Sequence, residues 1–327
     1  MVSRLPTCID AMQRSGVMEH PHSLTVAGAV QALHLFPEHP GASRYHSPMK
    51  FWVVALLLLH GNAMGQIKVV DDYGNRVSLP APATRIVSLA PHLTELLYAA
   101  GAGPKVVGAV AFSDFPPEAR ALPRVGNDAL IDLEAVLALR PDLIVAWPNP
   151  GTLRAVNRLA ELQLPVFRSE PRELEDIAGT ISRLGILLGT ELQADRAAAA
   201  FRARAAELEK RYSRRPAVRV FYEVWDRPLI TVSGDHVISK VIRLCGGENV
   251  FAGLPGIAPH IDREAVLRAN PKVIVGSDAI SLDDWKAYPV TARLHRIPAA
   301  LIERHTPRIL EGAERLCGIL EGARTAR

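Results

Sequence analysis

From about residue 66 onward, the apolar positions alternate between short continuous runs and amphipathic stretches. "IKVVDDYGNRVSL" alternates apolar and polar residues around an Asp-Tyr-Gly-Asn turn and predicts an antiparallel hairpin. The runs "RIVSLAP", "KVVGAVAF", "DLIVAW" and "PVFRS" then interleave with helical periodicity in "HLTELLYAAGAG", Leu133–Leu139 and "TLRAVNRLAELQ". Apolar strands alternating with helices predict parallel βαβ units around a covered sheet. From Thr190 the chain carries no Gly or Pro until Pro216, which predicts one helix of about 23 residues and roughly 35 Å. Thr190 and Gln193 have the spacing of a capping box. Beyond it the alternation resumes in "VRVFYEVW", "LITVSG", a helix over 236–244, "EAVLRAN", "KVIVGS" and a last helix over 307–323. The expected fold is α/β: two Rossmann-like lobes, over 66–180 and 214–327, with linking helices over 181–213 and one long backbone helix between them.

One segment occurs twice. "DLEAVLALRPDLIVAW" (Asp132–Trp147) and "DREAVLRANPKVIVGS" (Asp262–Ser277) share Asp, Glu, Ala, Val, Leu, Pro, Ile and Val at identical spacing. Each Asp stands where an N-cap belongs, and each Pro ends a helix and sends the chain into a buried strand. Glu134 and Glu264 fall at the second helical position, where the helix dipole favours an anion. That accounts for them structurally. A pair of matched surface carboxylates, one per lobe, is equally a docking point for a basic partner.

Residues 1–48 show no sustained apolar periodicity and contain five histidines, and they are read as an unfolded or non-native extension. "MKFWVVALLLLHGNAMGQ", from Met49, has the parts of a signal peptide: Lys50, nine apolar residues from Phe51 to Leu59, and Ala63-Met64-Gly65 as the cleavage site, giving a signal over 49–65. Nine residues are too few for a bilayer span of about 20. The expected compartment is therefore the periplasm. Without Cys8, the exported chain holds Cys245 and Cys317, an even pair that in an oxidising compartment reads as one disulfide; two buried thiols are the alternative.

The whole chain has 327 residues and a formal charge of +4, with 38 basic and 34 acidic residues spread evenly and no Lys/Arg block, which argues against a nucleic-acid partner. Ligands of open α/β sheets bind beyond the carboxyl ends of the strands. Phe112, Trp147 and Trp225 each follow or end such a strand, a placement suited to a large, flat, partly apolar ligand. Gly101-Ala-Gly103 lacks the third glycine of a phosphate loop, and no nucleophile elbow, HExxH or paired CxxC occurs. His92, His236, His260, His295 and His305 have no metal-ligand spacing, though His92 and His260 are a pair that could face each other across a cleft. No metal, cofactor or catalytic residue is expected. An enzyme on the same two-lobe fold is the competing class.

"RIVSLAPHLTELLYAAGAGPKVVG", "SDFPPEARALPRVG", "DLEAVLALRPDLIVAW" and "TPRILEGAERLC" together resemble the cobalamin-binding members of the helical-backbone class of periplasmic substrate-binding proteins, from about Val69 to Leu320. The resemblance implies a bilobal class III binding protein, monomeric, that holds cobalamin in the interlobe cleft and delivers it to an ABC importer permease. It places ligand contacts at Pro91, Phe112 and Trp147, and more loosely at Trp225. It places permease docking at Glu134 and Glu264, meeting arginines, and the disulfide at Cys245 and Cys317. The stretches "GNDALI" and "GIAPHID" before the two glutamates carry no aromatic, which keeps a related corrinoid, haem or a ferric siderophore open as the ligand.

Overall fold

The computed structural model describes residues 66–325, so the extension at 1–48 and the signal peptide at 49–65 lie outside the described residues. The chain opens with the hairpin β1 (Ile67–Val70) and β2 (Arg76–Leu79), paired antiparallel, with Asp71 closing the turn by accepting the Tyr73 and Asn75 amides. A parallel four-stranded sheet follows, in the order β4-β3-β5-β6: β3 (Ile86–Ser88), β4 (Val106–Ala109), β5 (Leu143–Ala146) and β6 (Val166–Arg168). Its helices are α1 (Pro91–Ala99), α2 (Leu133–Ala138) and α3 (Leu153–Glu161).

Two helices lead out of this lobe. α4 (Leu174–Leu188) begins at a capping box of Glu173 and Asp176 and ends at Gly189, whose φ of +63° suits a residue without a Cβ. α5 (Glu191–Tyr212) is the long helix the sequence predicts, at 22 residues. The capping box expected at Thr190 and Gln193 is absent: Thr190 makes no side-chain cap bond and its hydroxyl is buried without a partner. The chain turns through Gly189 just before it, and Thr190 Oγ1 is buried instead of capping the helix. α4 runs through residue 180 without a break.

The second sheet has the order β11-β10-β7-β8, with β9 paired to β7. Its strands are β7 (Val218–Asp226), β8 (Leu229–Thr231), β9 (Gly247–Asn249), β10 (Val273–Ser277) and β11 (Arg293–Ile297); all pairings are parallel except β7 with β8. α6 (Val237–Leu244), α7 (Arg263–Ala269), the short α8 (Ala299–Ile302) and α9 (Ile309–Thr325) complete the lobe. The two copies of the repeated segment occupy matching interior positions. β5 lies between β3 and β6, β10 lies between β7 and β11, and both strands are wholly buried. Even the residue before each proline matches, Arg140 with φ +46° and Asn270 with φ +42°.

One continuous apolar core joins the halves. It includes Leu93, Leu96 and Leu97 of α1, Ile177, Ile181 and Leu184 of α4, Ala194, Ala198 and Phe201 of α5, and Val237, Ile238, Val241 and Leu316 of the second lobe. Burying this stripe fixes the linking helices against both lobes, so α5 acts as a stiff strut and not as a hinge. The Cys245–Cys317 disulfide ties α6 to α9, with both cysteines fully buried.

Candidate functional site

Local hydrogen bonding shapes the rim of the first lobe. Thr94 Oγ1 shares hydrogen bonds with Ser88 Oγ at 2.8 Å and Ser113 Oγ at 3.0 Å, donating in one and accepting in the other, and so joins the end of β3, α1 and the loop after β4 through three buried hydroxyls. Arg124 gathers the carbonyls of Val110, Ser113, Ala119 and Arg120 and fixes the rest of that loop. Phe112 at its tip has a φ of +63°, a left-handed conformation costly for a bulky residue, and its side chain is 72% exposed. Trp147, 37% exposed, follows β5, where Thr152 Oγ1 holds its carbonyl at 2.9 Å. Pro91 opens α1 immediately before His92, whose ring stands edge-on to Trp147 at 5.7 Å.

The second lobe reaches this rim through the loop between α8 and α9. Arg304 Nη1 pairs with Glu95 Oε1 at 3.0 Å and Asp114 Oδ1 at 2.6 Å, and its Nη2 donates to the Phe112 carbonyl at 3.1 Å. Arg308 adds a contact to Glu95 at 3.5 Å and lies 4.0 Å above the Phe115 ring. Burial pushes the Glu95 carboxyl up, against the opposing pull of Arg304 and Arg308. This ion cluster, buried at Glu95 and open to solvent at Asp114, latches the loop carrying Phe112 to the opposite lobe. Beside it opens a cavity of about 820 Å³ lined by Tyr98, Phe115, Gln193 and Arg308, which none of the four expected ligand contacts lines.

His92 lies 6.1 Å from His305, which in turn lies 5.4 Å from His236. His260, which could have faced His92, forms a bridge with Ile230 beside β8. The parallel sheets bring α1, the N-cap of α6 and the loop before α9 together, an arrangement that no spacing in the sequence encodes. Trp225, 50% exposed, lies near the end of β7 in the other sheet, and its indole donates to the Arg227 carbonyl at 2.9 Å. Phe112 and Trp147 are thus linked through Arg304, His305 and His92, whereas Trp225 makes no contact with that group. No sequence pattern marks Arg304, Arg308 or Glu95, and His92, His236 and His305 carry no spacing that joins them. The "TPRIL" stretch that carried the resemblance begins one residue after His305.

Glu134 and Glu264 occupy equivalent places. Asp132 accepts the Ala135 amide at 2.9 Å and Asp262 the Ala265 amide at 2.6 Å, so both helices start in the same way, and both glutamates are exposed. Among the described residues no group of three or more His, Cys, Asp or Glu is arranged to hold a metal ion.

The sequence signature of the periplasmic binding protein family matches residues 86–305. Over 250 residues the chain is 36% identical to the vitamin B12-binding protein of Vibrio cholerae, covering 74% of this chain and 91% of that protein. Over 246 residues it is 39% identical to the vitamin B12-binding protein of Yersinia pestis, covering 74% and 88%. The crystal structure of the periplasmic vitamin B12 binding protein of Vibrio cholerae matches with a TM-score of 0.70, covering 75% of this chain and 99% of that one. A periplasmic heme-binding protein from Roseiflexus, at 23% identity and a TM-score of 0.64 over 74% and 99% of the two chains, shares the fold. With two α/β lobes on one helical strut and a family match spanning most of both, the chain belongs to the periplasmic binding protein family.

Proposed function

We propose that this protein captures cobalamin, or a closely related corrinoid, between its lobes and delivers it to the permease of an ABC importer. The observation that carries the reading is the set of aromatics held outward at the carboxyl ends of strands in both sheets: Phe112, Trp147 and Trp225. An apolar ring left in water loses hydrophobic stabilisation that it regains under a flat, bulky ligand. The resemblance to named vitamin B12-binding proteins over three-quarters of the chain supports the choice of corrinoid. No bond is made or broken in this role; affinity comes from burial in a cleft whose walls the core and latch already hold, so little ordering is required on binding.

Pro91, beside Trp147 through His92, is assigned to the same ligand surface. Glu134 and Glu264 are assigned to permease docking: one exposed carboxylate per lobe, at equivalent helix starts, complements two basic groups on a symmetric partner. The lobes are assigned to 66–180 and 214–327 with linking helices over 181–213, the working state is a monomer, and export uses the segment 49–65.

Calorimetry of the chain from residue 66 with cyanocobalamin tests the ligand. Absence of binding at micromolar concentration, with haem or a ferric siderophore binding in its place, reverses the assignment. For docking, Glu134→Lys with Glu264→Lys is expected to abolish uptake in a reconstituted transporter while ligand affinity holds. A loss of affinity would place these carboxylates in the cleft instead.

A further inference from the structure

We propose that His305 is an axial donor to the metal of the bound corrinoid, its imidazole nitrogen replacing a metal-bound water. The inference rests on the corrinoid reading above. Three imidazoles meet where the lobes face each other, with His305 in the middle, His92 at 6.1 Å and His236 at 5.4 Å.

Their nitrogens are not equivalent. His236 Nδ1 accepts the Ile238 amide at 3.1 Å, which puts its proton on Nε2 and uses its lone pair to cap α6. His92 Nε2 is enclosed, out of reach of a ligand. His305 is partly exposed, and among the described residues its ring makes no hydrogen bond. Its lone pair is therefore uncommitted. It adjoins Arg304, which holds the Phe112 loop, and it reaches Trp147 through His92, so it lies within the rim assigned to the ligand. Since no three-ligand set is present among the described residues, a free ion is a poor fit. A single imidazole instead suits a metal that arrives with its equatorial ring nitrogens in place and one exchangeable axial position. The step is a ligand exchange. Water leaves the metal, the neutral nitrogen donates its pair, and neither proton nor electron is transferred.

The test titrates the protein with aquacobalamin and with cyanocobalamin, following tryptophan fluorescence for binding and corrin absorption for coordination; aquacobalamin mixed with free imidazole supplies the reference spectrum. Bound aquacobalamin is expected to take the reference spectrum. Cyanocobalamin, its axial site closed by cyanide, is expected to bind without the change. In His305→Ala the change should disappear and aquacobalamin should bind about 10–100-fold more weakly, the scale for removing an imidazole's support at a metal site. Cyanocobalamin should still quench the tryptophan fluorescence of that variant as it does the wild type's, which a misfolded variant would not allow, and His92→Ala should retain the imidazole spectrum. Aquacobalamin bound with its aqua spectrum, or an imidazole spectrum surviving in His305→Ala, overturns the axial donor while leaving the corrinoid reading intact. Failure of both corrinoids to bind overturns the corrinoid reading and this inference with it.

Discussion

The two lobes are latched through a charge that water hardly reaches, and removing its partner has a calculable cost. Glu95 is 3% exposed and pairs with Arg304 at 3.0 Å and Arg308 at 3.5 Å. Arg304→Met keeps most of the side-chain volume and leaves Glu95 with Arg308 as its remaining cation. Stranding a buried charge costs about 3–5 kcal/mol, but a carboxyl can escape by taking up a proton. Against an ordinary value of 4.5, that escape costs 1.36 kcal/mol per pH unit, which limits the penalty to about 3.4 kcal/mol at pH 7 and about 0.7 kcal/mol at pH 5. The sign follows from proton uptake. The folded variant holds its proton to a higher pH than the unfolded chain does, so the penalty is absent near pH 4.5 and grows as pH rises towards the folded-state pKa. Urea unfolding of the wild type, Arg304→Met, Glu95→Gln and the double variant at pH 5 and pH 7 measures it. The gap between the wild type and Arg304→Met should widen by up to about 2–3 kcal/mol over that interval, and the double variant should recover the difference. Bonds from Arg304 to Asp114 and the Phe112 carbonyl add a pH-independent part. A gap of equal size at both pH values, or a double variant no more stable than Arg304→Met at pH 7, refutes the argument.

Three further outcomes follow from the same geometry. Cys245→Ala with Cys317→Ala opens a 72-residue separation and should lower stability by about 4 kcal/mol, roughly 8 °C in Tm for a domain of about 260 residues, with ligand affinity unchanged; a loss under about 1 kcal/mol in urea titration would rule out an unfolded-state constraint of that size. Burial, aided by Asp226 and Asp284, raises Glu223 to about 7 despite the hydrogen bond from Trp285 and the charge of Arg263. This group therefore favours the fold below pH 4.5 and ceases to do so as pH rises through 7, and Glu223→Gln should remove a decline of about 3 kcal/mol between pH 5 and 8; an unchanged slope would count against it. Phe112→Ala and Trp147→Ala should each weaken corrinoid binding on the order of tenfold or more by calorimetry, and wild-type affinity in both would move the ligand off this rim.

The sequence determined every feature carried by local pattern. Continuous apolar runs between amphipathic segments gave both sheets, parallel except for the β7–β8 pair, because a strand buried on both faces has no polar side to show. The duplicated Asp-x-Glu-Ala-Val-Leu segment gave its own N-caps, its helices and its two central strands, since capping and helix termination depend on residues a few positions apart. Tertiary structure decided what must come from distant parts of the chain. Glu95 and Arg304 are 209 residues apart, and the trio of His92, His236 and His305 is drawn from both lobes, so no spacing along the chain announces either. His260 could have faced His92 across a cleft, but it lies beside β8 in a bridge with Ile230. Thr190 shows the same limit on a smaller scale: its spacing to Gln193 fits a cap, yet its hydroxyl, just after the turn at Gly189, is buried instead of capping the helix. Local hydrogen bonding can be read from neighbours in sequence, whereas a cleft is made of groups that only the closed packing of two lobes brings face to face.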